Sequence, residues 1–555
     1  MAGGAAVNIF RLKKSFALPP GVLNWRLWFA VAAFAVLGAA RGIDEGLISG
    51  AFKSPDFQDL IDYHSYTEAE QTNIKGNVTA MVQIGSVGGA LLAFLVCDRI
   101  GRLWATRQLC IFWIVGIAIF MGNSGSLGAV YAGRFIAGLG VGQSVVVGPV
   151  YLAEVAPAPI RGLCTCVFAG FNYVGILVAY FANYGCAIHQ KGTRNQWMIP
   201  TSLNFMFAGI IFILSWFQYE SPRYLIKKGQ LDKAVTNMTR IRRLPADHPY
   251  VVQEISAINN QWHEEQEATK GQGALGILKE IFLIHKNLYL FYLALMAQIL
   301  SQWSGAGSIT IYAVDLFALF GVKGNNESLL ATAVFGIVKL VAALVCAFIL
   351  VDYIGRKRSL VSGISLQALS MIYLAAFLTA VPPGEDGEDI PMTSSDKAAS
   401  KGAIFMMYLS GFGWALGWNS LQYLLVAELF PLRIRAVCTS IIMSAHFANQ
   451  YGNSRAVPNM LLPTNKGGLS PAGTFWLFGA ITIIGGIWVW LTIPETAGLA
   501  LEEMDGLFDL PWYKIGLSGR KYADMQETEA HEKIPVTVVD HVENGNEQPK
   551  ATAKG

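Results

Sequence analysis

Charged residues are scarce in this chain of 555 residues. Asp, Glu, Lys and Arg make up 14% of it, whereas 53% is hydrophobic. Because soluble domains carry roughly 25% charged residues, the composition excludes an ordinary soluble protein. The hydrophobic residues form runs of about 20, the length at which a helix crosses a bilayer. We therefore predict an all-α membrane protein that spans the bilayer many times.

Patterns that would indicate catalysis are also missing. The seven cysteines show neither a metal-ligand spacing nor a disulfide framework. No nucleophile, metal-binding or phosphate-binding motif stands out in the sequence. We expect that the protein is not an enzyme, that it binds no metal or cofactor, and that nucleic acid is not a partner.

The hydrophobic runs give twelve candidate spans. They start near Leu27, Val78, Thr106, Ala129, Leu163, Met198, Leu288, Leu329, Leu360, Ala403, Ala436 and Phe475. The loops on one side of the predicted spans are basic, as at Arg356-Lys357-Arg358. The loops on the other side are acidic, as between Asp56 and Glu70. Since basic loops stay in the cytoplasm, we predict cytoplasmic termini and a multi-pass protein of the plasma membrane. The sequon at Asn326 then lies outside, where glycosylation would be possible.

Two charged patterns occur once in each half of the chain. Asp98 to Arg102 recurs as Asp352 to Arg356, and Glu154 to Arg161 recurs as Glu428 to Arg435. This duplication predicts two halves of six helices, with a substrate site between them near mid-membrane. The predicted divisions are a cytoplasmic lead (1–24), the first half (25–219), a cytoplasmic linker with short helices (220–286), the second half (287–494) and a largely disordered cytoplasmic tail (495–555).

An arginine lies inside the glycine-rich apolar run Gly133–Gly142. A charge at the centre of a bilayer costs roughly 2.5–3.5 kcal/mol on insertion scales, so Arg134 needs an acidic partner or a water-filled path. It is a functional candidate for that reason. Gly138 and Gly142 are four residues apart, a spacing that predicts close approach of another helix.

Eight motifs in order carry a family resemblance. They are Gly-x-x-Asp-x-Gly around Asp44, Asp98 to Arg102, Gly133-Arg134, Glu154 to Arg161, Glu220 to Arg223, Asp352 to Arg356, Glu428 to Arg435 and Pro494-Glu495-Thr496. Together they resemble the sugar porter family of the major facilitator superfamily. Gly336–Lys339 and the sequence of the seventh span look most like those of fungal quinate and galacturonate permeases. The resemblance implies alternating access and proton symport by a monomer whose partners are a sugar or sugar acid, protons and the lipid bilayer.

The resemblance also implies roles for the repeated charges. Asp44 and Arg134 look like the proton-coupling pair of the family, although a permanent ion pair that only holds two helices together is an alternative. The carboxylates and arginines at the inner ends resemble a gating network, with topology alone as the alternative. This network comprises Asp98, Arg102, Glu154, Arg161, Asp352, Arg356, Glu428 and Arg435.

The predicted substrate site departs from that of a hexose porter. The implied binding residues are Asn172, Gln302, Lys339, Trp418, His446 and Gln450. Lys339 and His446 add basic groups, which favours a sugar acid or hydroxy acid such as galacturonate or quinate. Alternatively, Lys339 snorkels or pairs with an acid on another helix, and His446 only packs. A neutral monosaccharide transporter and a transporter-like nutrient sensor therefore stay open as functions.

Overall fold

The structure is a computed structural model. It describes residues 18–157, 160–269, 274–322, 324–346, 356–383, 393–419, 430 and 432–493. Within these ranges all the regular secondary structure is helical. Nine of the described helices are long and apolar enough to cross a membrane by length and composition alone.

Twelve consecutive membrane segments, TM1 to TM12, are built from the longer helices. They are TM1 (Trp25–Ala51), TM2 (Glu68–Ile100), TM3 (Arg102–Met121), TM4 (Leu127–Val155), TM5 (Arg161–His189), TM6 (Asn195–Leu214), TM7 (His285–Trp303, Ala306–Ile311 and Ala313–Leu319), TM8 (Asn325–Val345), TM9 (Arg356–Ala380), TM10 (Ser394–Leu416), TM11 (Leu432–Met460) and TM12 (Ser470–Thr492). TM7, TM10 and TM11 are the three segments that are not among the nine helices identified by length and composition. TM7 is interrupted, and TM10 and TM11 contain polar stretches.

The two halves meet along two pairs of helices. TM2 packs against TM11, and TM5 packs against TM8. Within the first half, TM1 lies along TM5 and TM2 lies along TM4. The surfaces of TM1, TM5, TM7, TM8 and TM11 that face the boundary between the halves are therefore withdrawn from lipid, so polar side chains are tolerated there.

Four α-helices lie between TM6 and TM7. They are Pro222–Lys227, Leu231–Arg242, Pro249–Thr269 and Ala274–Leu283. The first three share a small apolar core that includes Leu225, Met238 and Val251. Arg242 fastens this unit to the first half, because its guanidinium donates to the carbonyl of Val155 at 2.8 Å and pairs with Glu254 at 2.7 Å.

Glycines let TM4 and TM2 approach each other at backbone distance. A Cβ added at Gly138 would lie 2.3 Å from the carbonyl oxygen of Val82, and one at Gly142 would lie 2.1 Å from that of Ser86. Both distances are far below van der Waals contact. The predicted close approach at these two glycines is therefore confirmed.

We expect Gly142→Ala to lower the thermal stability of the purified protein, because the new methyl group meets backbone that cannot move aside. Overpacking of this kind costs about 1–3 kcal/mol. Gly209 in TM6 is the matched control, since a Cβ added there would have nothing within 4 Å. Gly209→Ala should leave the melting temperature unchanged or raise it, because alanine favours helix by about 1 kcal/mol over glycine. Equal melting temperatures for the two variants would contradict the close packing.

Candidate functional site

A cavity lies between the two halves, among TM1, TM5, TM7, TM8, TM10 and TM11. In this conformation its side chains nearly fill it: the space left is about 30 Å³, enough for about one or two water molecules. Five of the six predicted binding residues line it together: Asn172, Gln302, Lys339, His446 and Gln450. The structure thus brings residues of four different membrane segments to one place.

The break in TM7 shapes one wall of the cavity. Gly305 has φ +85°, and a Cβ there would lie 2.4 Å from the ring of Phe478, so glycine is required for both conformation and space. Gln367 of TM9 donates to the carbonyl oxygen of Ser304 at 3.2 Å, which satisfies a backbone acceptor freed by the break. Gln302 and Thr310, on either side of the break, both reach the cavity.

Lys339 is the buried cation of TM8. It is 2% exposed, donates a hydrogen bond to the Thr310 hydroxyl, and lies 4.9 Å from the centre of the Phe335 ring. Within the described part of the chain, no carboxylate oxygen lies within the 4.0 Å of a salt bridge to this side chain. Since an intramembrane charge requires compensation, a group entering the cavity can supply the missing anion.

Three amide oxygens in the cavity have unused hydrogen-bonding capacity. Oδ1 of Asn172, Oε1 of Gln302 and Oε1 of Gln450 are buried and have no hydrogen-bond partner among the described residues. Leaving a buried acceptor unsatisfied costs about 1–3 kcal/mol. These oxygens are suited to accept hydrogen bonds from the hydroxyl groups of a ligand.

His446 joins this polar wall through two glutamines. Its Nδ1 lies 2.8 Å from Oε1 of Gln298 and 3.2 Å from Nε2 of Gln302. The ring is 1% exposed. Nδ1 can donate to Gln298 or accept from Gln302 but cannot do both at once, and the shorter contact, to the Gln298 oxygen, holds the ring beside the cavity that it lines.

The sixth predicted residue, Trp418, is buried at 1% exposure but is not among the described residues that line the cavity. Trp414, one turn earlier on TM10, lines it instead. Arg41 and Asn419 also line the cavity, and neither was predicted from the sequence. Arg41 could have been suspected, because it lies one turn before Asp44 on the same helix.

Asp44 and Arg134 form a dry ion pair between TM1 and TM4. The Arg134 guanidinium lies 2.8 Å from Oδ1 of Asp44, and the two side chains, Arg134 and Asp44, are 4% and 2% exposed. Arg134 also donates to the carbonyl oxygen of Val78 at 3.3 Å. The neighbouring carboxylate, Glu45, pairs with Arg41 at 3.2 Å and lines the cavity. Consecutive acids of TM1 thus occupy separate environments.

Comparison with known proteins identifies the family. Residues 30–508 match the family model described as Sugar (and other) transporter. The chain is 30% identical over 504 residues to a probable quinate permease of Aspergillus niger, covering 90% of this chain and 91% of that relative. It is 29% identical over 505 residues to a quinate permease of Emericella nidulans, covering 91% and 92%. The chain belongs to the sugar porter family of the major facilitator superfamily.

Solved structures confirm the predicted fold. The transporter aligns with the proton:xylose symporter XylE bound to 6-bromo-6-deoxy-D-glucose at a TM-score of 0.71 and 21% identity, covering 87% of this chain and 99% of that chain. It aligns with the partially occluded inward open form of XylE from E. coli at 0.69 and 19% identity, covering 86% and 100%. The predicted fold of twelve transmembrane helices in two six-helix halves is therefore confirmed.

The charges at the basic end of the transporter form a network in the first half. Arg102 binds both oxygens of Glu154, at 2.9 Å and 2.7 Å, and contacts Asp98 at 3.3 Å. Glu220 accepts the backbone N–H of Arg102 at 3.1 Å, at the start of TM3. Burial raises the pKa of Glu220. The hydrogen bonds that its carboxylate accepts from the backbone N–H groups of Ser221, Leu103 and Arg102 oppose the rise.

The structure describes only part of the remaining predicted gating network. Arg161 is the first residue of TM5. Asp352 and Glu428 lie outside the described residues, as do the side chains of Arg356 and Arg435. The proposed contacts between the network of the first half and that of the second half therefore stay a prediction.

Ion pairs at the opposite end of the transporter cross between the halves. Asp315, in the last helix of TM7, lies 3.0 Å from Nζ of Lys53 and 2.6 Å from Nζ of Lys75. Arg455 of TM11 donates to Asn73 of TM2 at 2.8 Å. The structure is therefore closed at the end away from Arg102. None of these contacts was predicted from the sequence.

We expect Arg134→Met to destabilise the transporter strongly, because it leaves Asp44 buried without its cation. Removing one partner of a buried pair costs about 3–5 kcal/mol. The double variant Asp44→Leu with Arg134→Met should be more stable than Arg134→Met alone, as judged by thermal melting of the purified protein.

The exposed pair Lys466–Glu68, with 42% and 71% exposed side chains, provides the control for this experiment. Lys466→Met should change stability by less than about 1 kcal/mol. If Arg134→Met melted like Lys466→Met, the Asp44–Arg134 pair would not be a dry one.

Proposed function

We propose that the transporter takes up a monosaccharide-sized hydroxy acid or sugar acid, such as quinate or galacturonate, in symport with protons. The observation that carries this proposal is Lys339, a buried cation in the central cavity with no salt-bridge partner in the described ranges. The carboxylate of a substrate would supply that partner. The relatives named as quinate permeases support a hydroxy acid as the cargo.

The polar wall of the cavity suits the rest of such a substrate. Asn172, Gln302 and Gln450 present acceptor oxygens to hydroxyl groups, and Thr310 holds the Lys339 ammonium from the side of TM7. Trp414 offers an apolar surface to a ring, the role expected of Trp418 from the sequence. A cavity that combines a buried cation with several amides matches a polyol that carries a carboxylate.

Proton coupling is assigned to Asp44 with Arg134. Protonation of Asp44 would remove the charge that holds Arg134, so the pair could separate as TM1 moves relative to TM4. A carboxylate beside an arginine in a dry site responds strongly to such a separation, because both desolvation and the nearby charge set its proton affinity. XylE, which shares the fold, is described as a proton:xylose symporter.

Alternating access would proceed by rocking of residues 25–219 against residues 287–494. By the positive-inside rule, the basic loops favour a cytoplasmic position for the Arg102 network, both termini and the helices of 220–286. The pairs of Asp315 then close the outer end, and their separation would open the cavity to the exterior of the plasma membrane.

Uptake of labelled quinate, galacturonate and glucose by transporter-deficient cells tests the substrate class. We expect uptake of one of the acids, and we expect Lys339→Gln to reduce it by about tenfold or more while a neutral sugar is affected less. Lys233→Gln is the matched control, because Lys233 is exposed on a linker helix. Glucose uptake that excess acid does not inhibit would instead support a neutral monosaccharide transporter.

Asp44→Asn tests the coupling. The variant should lose acid-stimulated, protonophore-sensitive accumulation, because asparagine carries no titrating proton, but it should still exchange substrate across the membrane. Counterflow into preloaded proteoliposomes measures that exchange without a proton gradient. Concentrative uptake by Asp44→Asn at the wild-type level would refute coupling at this residue and leave the ion pair a structural one.

A further inference from the structure

We propose that Glu45, paired with Arg41, sets the charge of the substrate, so that the site accepts one carboxylate and discriminates against both neutral polyols and dicarboxylates. This inference rests on the proposed function, because it concerns how many carboxylates the same cavity takes. It assigns a specificity role to two residues of TM1 that the coupling pair does not include.

The geometry places three charged side chains around one small space. Arg41, Glu45 and Lys339 all line the cavity. The Arg41 guanidinium lies 3.2 Å from Oε1 of Glu45, and their side chains are 8% and 16% exposed. Glu45 therefore shares the cavity with both cations and pairs with one of them.

The charges of this set do not cancel. Two cations face one carboxylate, and no other Asp, Glu, Lys or Arg occurs among the described residues that line the cavity. A site with one excess positive charge in a low-dielectric environment is neutralised by a monoanion. A neutral ligand leaves the excess in place, and a dianion replaces it with an excess of the opposite sign, which costs free energy in a buried site.

Asp44 cannot fulfil this role, because its carboxylate is directed away from the cavity. It contacts Arg134 in a pair that is almost fully buried, and neither residue lines the cavity. Adjacent residues of a helix are turned by about 100°, so TM1 directs one acid to the TM4 pair and the next to the substrate. The count of charges at the substrate therefore depends on Glu45.

The experiment is thermal stabilisation of the purified full-length protein by galactose, galacturonate and galactarate, which carry zero, one and two carboxylates, at neutral pH. Wild-type protein should be stabilised most by galacturonate. In Glu45→Gln the affinity for galactarate relative to galacturonate should rise by about tenfold, which is ~1.4 kcal/mol. Glu45→Asp, which keeps the charge, should retain the wild-type ratio.

Arg41→Gln should shift the preference in the other direction, toward galactose. The double variant Arg41→Gln with Glu45→Gln restores one excess positive charge through Lys339 and should restore the preference for galacturonate. Ratios that are the same in wild type, Glu45→Gln and Arg41→Gln would overturn this inference while leaving the proposed function intact. Wild-type protein that binds galactose in preference to galacturonate would instead overturn the proposed function.

Discussion

A charge inside a bilayer must be compensated, and this constraint governs the arrangement of the membrane helices. Arg134 is compensated within the protein by Asp44 at 2.8 Å, so TM4 and TM1 are tied together by a dry pair. Lys339 has hydroxyl and aromatic neighbours at short range. The need for compensation is therefore met within the protein at Arg134. At Lys339 it is not met by a carboxylate among the described residues, so the site of Lys339 is incomplete. The incomplete site is where a ligand gains most by binding.

TM1 connects these two places. Asp44 contacts Arg134, and Glu45 contacts Arg41 beside the substrate cavity. Gly42 keeps this helix close to TM5, since a Cβ there would lie 1.8 Å from the carbonyl oxygen of Asn172. A movement of TM1 therefore displaces Asp44, the charged wall of the cavity and Asn172 together. The Asp44–Arg134 pair and the cavity are thus joined mechanically through this one helix.

Much of the cavity could be predicted because helix periodicity and family motifs locate residues along each helix. Lys339, His446 and Gln450 were found in this way. Trp418 was predicted from the sequence whereas Trp414 lines the cavity, and the choice between them depends on how TM10 rotates near its end, where Gly417 interrupts the helix. The pairs of Asp315 were missed for a different reason. Their partners Lys53 and Lys75 are distant in sequence, and only the packing of the two halves brings them together.

The closed end and the broken helix are parts of one arrangement. Asp315 follows the break at Gly305 on TM7, so the segment that pairs with Lys53 and Lys75 also carries Thr310, which holds Lys339. The Tyr180 hydroxyl of TM5 donates to the carbonyl oxygen of Thr310 at 2.6 Å, which is a further bond between the halves at the same turn. Opening the end away from Arg102 requires this segment to leave Lys53, Lys75 and Tyr180, and that movement changes the contact of Thr310 with Lys339. Opening of this end and the hydrogen bond of Lys339 are therefore linked through a single short segment of TM7.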